Sequence, residues 1–92
     1  MAGVPKEAWL GQNYPNPFNP TTNIEIRILK FEFVSLKVYD IVGREVAVLV
    51  NEPTAAGEYT VRWDASGNAS GVYIARLAAG KSSVVRKMLL VR

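Results

Sequence analysis

The chain has 92 residues, of which 49% are hydrophobic and 21% are charged, and it carries a net charge of +3. This composition is typical of one globular domain with a thin core, and its charges are too balanced to indicate a nucleic-acid partner. The sequence contains neither cysteine nor histidine. The absence of cysteine excludes disulfides and thiolate nucleophiles, and the absence of histidine removes the commonest general base. We therefore expect no enzymatic activity and no cofactor.

The first residues of the chain predict neither a signal peptide nor a membrane anchor. No apolar run approaches the about 20 residues that a membrane-spanning helix needs. Pro5, Lys6 and Glu7 stand where a signal peptide would be apolar. We expect residues 1–9 to be a linker or a cloning remnant and residues 10–92 to form one domain. If that domain works outside the cell, it belongs to a longer protein.

A proline-rich segment, Y-P-N-P-F-N-P, occupies residues 14–20. Each proline fixes its own φ angle and disfavours helix in the residue before it, so the segment should be extended or turned. A flexible linker is one interpretation. Because linkers seldom carry two aromatic residues, we favour a stiff segment that pins Tyr14 and Phe18 to the folded body.

Beyond Pro20, apolar and polar residues alternate with a period of two, which is typical of strands. Turn residues separate the runs, among them Gly43 in the sequence D-I-V-G-R. The connections are too short for parallel crossovers, so we predict an antiparallel β-sandwich of six or seven strands without a helix longer than one turn. Six strands are predicted over residues 24–28, 34–39, 45–50, 58–63, 72–78 and 83–91. The residues expected to be buried together are Leu36, Val38, Tyr59, Val61, Trp63, Tyr73 and Leu77.

Three kinds of site have simpler structural explanations in this sequence. The eight carboxylates fall mostly on outward strand positions or in turns, so a facing pair for glycoside hydrolysis is not expected. Residues 64–68, D-A-S-G-N, resemble a calcium loop only faintly, and an Asx turn explains Asp64 and Asn68 equally well. Trp63 on an open face would suit sugar binding, but its parity with Tyr59 and Val61 favours the core.

Five segments of the chain, in this order, closely resemble the type A C-terminal sorting domain of proteins exported by the type IX secretion system. Together they span about residues 10–92. The segments are L-G-Q-N-Y-P-N-P-F-N-P-T-T-N-I (10–24), V-S-L-K-V-Y-D-I-V-G-R-E-V-A-V-L-V-N-E (34–52), A-G-E-Y-T-V-R-W-D-A-S (56–66), S-G-V-Y-I-A-R-L-A-A-G (70–80) and K-M-L-L-V-R (87–92).

The resemblance implies an immunoglobulin-like sandwich that directs its cargo through the periplasm and outer membrane, for release or for attachment at the cell surface. It implies outer-membrane translocon and shuttle proteins as partners, and a sortase-like peptidase that in many substrates removes the domain and joins the cargo to a surface lipopolysaccharide. By resemblance, the sorting signal comprises Gly43, Arg44, Glu45 and Val46; Ser70, Gly71, Val72 and Tyr73; and Lys87, Met88, Leu89, Leu90, Val91 and Arg92.

The last of these groups raises a hypothesis about mechanism. Residues 87–92 are expected to form an edge strand that is both structural and read by the machinery, with recognition by strand addition. Its parity leaves two faces open: either Met88 and Leu90 or Leu89 and Val91 point into the core.

One stretch departs from the family's pattern, which usually has a Pro, Gly or Ser turn between the first two strands. Residues 29–33, L-K-F-E-F, contain no turn former. We therefore expect residues 29–34 to form a bulged or continuous strand, or else Phe31 and Phe33 to be exposed. Two alternative functions stay open: an immunoglobulin-like interaction domain of the flagellar hook-assembly scaffold type, and a carbohydrate-binding accessory module, which would need exposed coplanar aromatics.

Overall fold

The computed structural model describes residues 8–92, and it places none of these residues in a helix. The predicted antiparallel sandwich of six or seven strands is confirmed. The expected domain boundary at residue 10 lies inside the first strand, and residues 1–7 of the expected linker lie outside the described residues. The strands are β1 (Ala8–Leu10), β2 (Thr21–Ile28), β3 (Glu32–Tyr39), β4 (Glu45–Thr54), β5 (Gly57–Asp64), β6 (Gly71–Ala79) and β7 (Ser82–Leu90).

The strands form two sheets that pack face to face. One sheet has three strands in the order β1-β2-β5, and the other has four in the order β4-β3-β6-β7. All neighbouring strands are antiparallel. The chain changes sheets after β2, after β4 and after β5, so each sheet combines strands from distant parts of the sequence, as in immunoglobulin-like folds.

The core lies between the sheets and consists of alternate residues from each strand. Trp63 is 4% exposed, and its ring lies 5.5 Å from the ring of Phe18 and 5.5 Å from that of Tyr73. The β2 residues of this core are Ile24, Ile26 and Ile28, those of β3 are Val34, Leu36 and Val38, and those of β6 are Tyr73, Ala75, Leu77 and Ala79.

Most of the predicted core is confirmed, but Tyr59 is not part of it. Val61 is half-buried, whereas Tyr59 is 36% exposed. The predicted face is right, since Tyr59 is the register partner of the buried Ile26. The prediction was wrong because β5 is an edge strand and Tyr59 lies near its end. Its hydroxyl donates to the carbonyl oxygen of Ala55 at 2.6 Å.

The stretch without a turn former connects the two sheets. β2 ends at Ile28 and β3 begins at Glu32, in the other sheet, so the prediction of a continuous or bulged strand was wrong. The alternative is confirmed, because Phe31 and Phe33 are 68% and 52% exposed. A connection that crosses between sheets does not reverse the chain within one ladder, and it therefore does not need the residues of a tight hairpin.

Residues 11–20, here called the strap, run from the first sheet to the second. The amide of Tyr14 donates to the carbonyl of Asn23 at 2.9 Å, beside β2, and the amide of Phe18 donates to the carbonyl of Leu89 at 3.0 Å, on β7. Phe18 is buried as predicted, but the side chain of Tyr14 is 79% exposed, so only its backbone is pinned. The segment is an ordered part of the sandwich and not a linker.

Candidate functional site

The first predicted group of signal residues lies in the turn between β3 and β4, and Asp40 organises that turn. One carboxylate oxygen of Asp40 accepts hydrogen bonds from the amides of Val42 at 3.0 Å and Arg44 at 2.9 Å. The other accepts from Nε of Arg44 at 2.7 Å. Gly43 has a φ angle of +91°, a conformation that other residues rarely adopt. Carboxylate and glycine together fix where Arg44 projects.

These hydrogen bonds also keep Asp40 ionised. The amide of Arg44, with further help from its guanidinium and from the amide of Val42, holds the pKa of Asp40 below the ordinary 3.8. A carboxylate with several donors is stabilised in its charged form. The turn therefore keeps its shape at neutral pH through a charged acceptor that lies at the surface.

The second group lies at the start of β6, after a loop of six residues that joins β5 to β6. The Asx turn predicted at Asp64 is present, since its carboxylate accepts from the amide of Ser66 at 2.9 Å and from the Ser66 hydroxyl. The hydroxyl and amide of Ser66 lower the pKa of Asp64. At the far end of the loop, the hydroxyl of Tyr73 donates to the carbonyl of Ala69 at 2.6 Å, which ties the loop to β6.

Arg92 joins the third group to this loop. Its amide donates to the hydroxyl oxygen of Ser70 at 2.9 Å, and Nη1 of its guanidinium donates to the carbonyl oxygen of Asn68 at 2.9 Å. The same nitrogen donates to the carbonyls of Ala65, at 3.4 Å, and Ser66. The carbonyl oxygens that a calcium ion would use in this loop thus bind a guanidinium, and no cluster of three metal-ligating side chains occurs within residues 8–92.

A shallow groove of about 390 Å³ separates the first turn from this loop. We call the turn at residues 40–46, the loop at residues 64–73 and Arg92 the motif end of the sandwich. The groove brings together residues that are more than twenty positions apart in the sequence. It is lined by Asp40, Arg44, Glu45 and Val46 on one side and by Gly67, Asn68, Ala69 and Tyr73 on the other.

Only some of the other residues of the terminal group face the surface. Met88 and Leu90 point into the core, whereas Leu89 and Val91 are exposed, which decides the parity that the sequence left open. Lys87 is the register partner of Ile74, in the interior of the β6–β7 ladder. The basic residue at the start of this group is therefore separated from Arg92 by four residues of extended chain.

The strap also covers outer backbone groups at the C-terminal end of β7. The amide of Leu89 donates to Oδ1 of Asn16 at 3.0 Å, and Nε2 of Gln12 donates to the carbonyl of Lys87 at 2.9 Å. The amide of Val91 donates to the carbonyl of Phe18 at 3.0 Å. The expectation that this stretch presents unpaired groups for strand addition was therefore wrong. The prolines indicated that the strap is stiff, but nothing in the sequence identified β7 as its partner.

A comparison with known protein families gives a match over most of the chain. The family model described as the secretion system C-terminal sorting domain matches residues 12–91. This range includes the strap from Gln12 onwards, the first two groups of signal residues, and the third group up to Val91. A search of the curated proteins found no match. Within the described part of the chain, no helix is long and apolar enough to cross a membrane.

Proposed function

Since the chain belongs to the family of secretion system C-terminal sorting domains, we propose that its motif end is the surface by which the secretion machinery recognises it. The domain is a sorting signal for type IX secretion, and its family is not a family of enzymes. A protein that carries it is secreted or displayed at the cell surface.

The observation that carries the proposal is the contact of Arg92 with the loop before β6. Through the carbonyl of Asn68 and the hydroxyl of Ser70, the chain's last residue holds one wall of the groove whose other wall is the Asp40–Arg44 turn. Three groups that are separate in the sequence thereby share one end of a rigid sandwich. Loops held by a rigid scaffold are where binding residues usually lie.

Burial divides the expected signal residues into two roles. Arg44, Glu45, Ser70 and Arg92 are exposed, and we propose that they contact the machinery. Tyr73, Met88 and Leu90 are buried, so they hold the frame that positions the first set. Gly43 belongs with the frame because its positive φ angle shapes the turn.

Within this proposal, the partners are an outer-membrane translocon and its shuttle proteins, reached after the domain has entered the periplasm. A sortase-like peptidase would act upstream of the residues that the family model matches. The alternative of a carbohydrate-binding module loses its main support, because Trp63 is 4% exposed and packs in tilted and edge-to-face contacts between Phe18 and Tyr73.

The proposal is tested by fusing residues 8–92 to the C-terminus of a periplasmic reporter in a bacterium with a type IX system. We expect the wild-type fusion to be exported and the Arg44→Ala and Arg92→Ala fusions to accumulate in the periplasm. Arg76→Ala is the matched control, because Arg76 is an exposed arginine on β6 outside the motif end. If both motif-end variants are folded, by their purified melting curves, and are exported like wild type, the motif end is not the recognition surface.

A further inference from the structure

The two lateral sides of the sandwich differ in how they are closed. On one side lie the edge strands β1 and β7. There the strap bonds to both sheets, and Nε of Arg86 donates to the carbonyl of Leu10 at 3.0 Å. On the other side lie the edge strands β4 and β5. No segment of residues 8–92 pairs with the outer backbone groups of β5.

The two edges on this second side are unequal. β4 shows register shifts opposite Leu36/Lys37 and opposite Val38/Tyr39, and it contains Pro53. Bulges and proline make a strand a poor template for pairing with another chain. β5 instead pairs with β2 over eight consecutive residues without a register shift, and it contains no proline. Of these two edges, β5 is therefore the regular one.

The sequence of β5, G-E-Y-T-V-R-W-D, is complementary to itself when two copies run antiparallel. With Thr60 opposite Thr60 of the second copy, Glu58 of each copy lies opposite Arg62 of the other. Opposite charges and Thr–Thr pairs at directly facing positions stabilise antiparallel strands. Moving the centre to Val61 would instead place Glu58 opposite Asp64, so the charges select the register that is centred on Thr60.

The core-facing side of β5 is complementary in the same register. Tyr59 of one copy lies opposite Val61 of the other, twice by symmetry. Tyr59 is 36% exposed and Val61 is half-buried, so each would cover apolar surface of its counterpart. Glu58 already binds Nε of Arg27 through Oε2 at 3.4 Å, which leaves its second carboxylate oxygen for Arg62 of the other copy.

We propose that β5 is a dimerisation edge, through which two copies of this chain join their three-stranded sheets into one six-stranded sheet. The interface is isologous, so it closes at two copies and does not propagate. It involves one strand from each copy and buries less surface than stable dimers do, so we expect a dissociation constant on the order of 0.1 mM. The dimer is independent of the proposed motif end.

The test uses the complementarity of two charge reversals in the 92-residue chain. In sedimentation equilibrium, Glu58→Arg alone and Arg62→Glu alone should each weaken self-association about tenfold or more, because each places like charges opposite one another twice. An equimolar mixture of the two variants should restore association. At positions 58 and 62, the Glu58→Arg variant carries two positive residues and the Arg62→Glu variant carries two negative ones, so opposite charges face each other in the mixed dimer. The control for Glu58→Arg is Glu52→Arg, which makes the same change in net charge on β4 and should leave association unchanged.

Amide chemical shifts of the wild-type chain provide a second measurement. On dilution from about 1 mM, a range that brackets the expected dissociation constant, the shifts that change should lie along β5. The proposal is overturned if wild type stays monomeric at the highest of these concentrations. It is also overturned if folded single variants associate like wild type, or if the mixture of folded variants associates no better than either alone.

Discussion

Phe18 is the side chain through which the strap should stabilise the whole domain. It is 2% exposed, contacts Trp63 in the core, and lies at the point where the strap pairs with β7. Replacing a buried phenylalanine by alanine costs about 3–5 kcal/mol of unfolding free energy, through lost burial and the cavity that is left. A domain of this size has roughly 5–14 kcal/mol in total, so Phe18→Ala should lose a large part of its stability.

Tyr14→Ala is the matched control, because it removes an aromatic ring from the same segment. Tyr14 is bound by its backbone but exposed in its side chain, so this change should cost less than about 0.5 kcal/mol. The comparison separates the buried ring from the extended backbone and the prolines that both variants retain.

Urea unfolding followed by circular dichroism measures both variants. With an m-value of about 1 kcal/mol/M, the midpoint of Phe18→Ala should fall by about 3 M or more, or the variant should be unfolded in water. If it remains folded, the amide of Val91 should exchange faster with solvent, since the strap that accepts its hydrogen bond is loosened. A loss below about 1 kcal/mol for Phe18→Ala would refute the assignment of the strap to the core.

Two further predictions concern the motif end. Gly43→Ala should destabilise the domain by about 1 kcal/mol in urea unfolding, because φ at residue 43 is +91°. Gly67→Ala should be nearly neutral in the same experiment, because residue 67 has no such φ angle and the added methyl group meets open space. The pKa of Asp40, followed by carboxyl NMR, should lie below 3.8, so that its stabilising effect is present above that pH and is lost as the pH falls through the lowered value. Arg44→Ala should reverse this lowering only in part, because the largest contribution comes from a backbone amide that alanine keeps; a pKa at or above 3.8 in the wild type would contradict the turn geometry.

The strands that alternate most regularly were the ones that the sequence predicted well. In β2 and β3, each apolar residue of the alternation is buried, because both strands lie between two neighbours and face the opposite sheet along their length. β4 shows why edge strands are harder. Its run Val46–Val50 has no alternation, and the register shifts turn all five residues partly outward. Periodicity does not reveal a bulge, since the extra residue changes the face of everything beyond it.

The expected signal residues were harder to place than the strands, because their arrangement depends on contacts between distant segments. The D-I-V-G-R sequence predicted a turn at Gly43, and the structure has one there. No local pattern indicated that Arg92 would bind the carbonyls of the loop at residues 65–68, or that Asn16 and Phe18 would cover β7. Such contacts follow from the sandwich topology, which brings together the ends of strands from opposite parts of the chain.

The packing of the last strand decides how the terminal signal can be studied. Met88 and Leu90 are core residues, and Val91 pairs with the strap, so deleting residues 88–92 removes part of the core together with any signal. Loss of export after such a deletion would follow equally from unfolding and from loss of recognition. The exposed Leu89 avoids this ambiguity, since replacing its side chain leaves the buried positions and the backbone pairing in place. Replacing Arg92 also leaves them in place, but it removes the bonds to the loop carbonyls, so the folded state of that variant has to be measured. If the signal is a surface of the folded domain, as we propose, substitutions there can separate recognition from folding where truncations cannot.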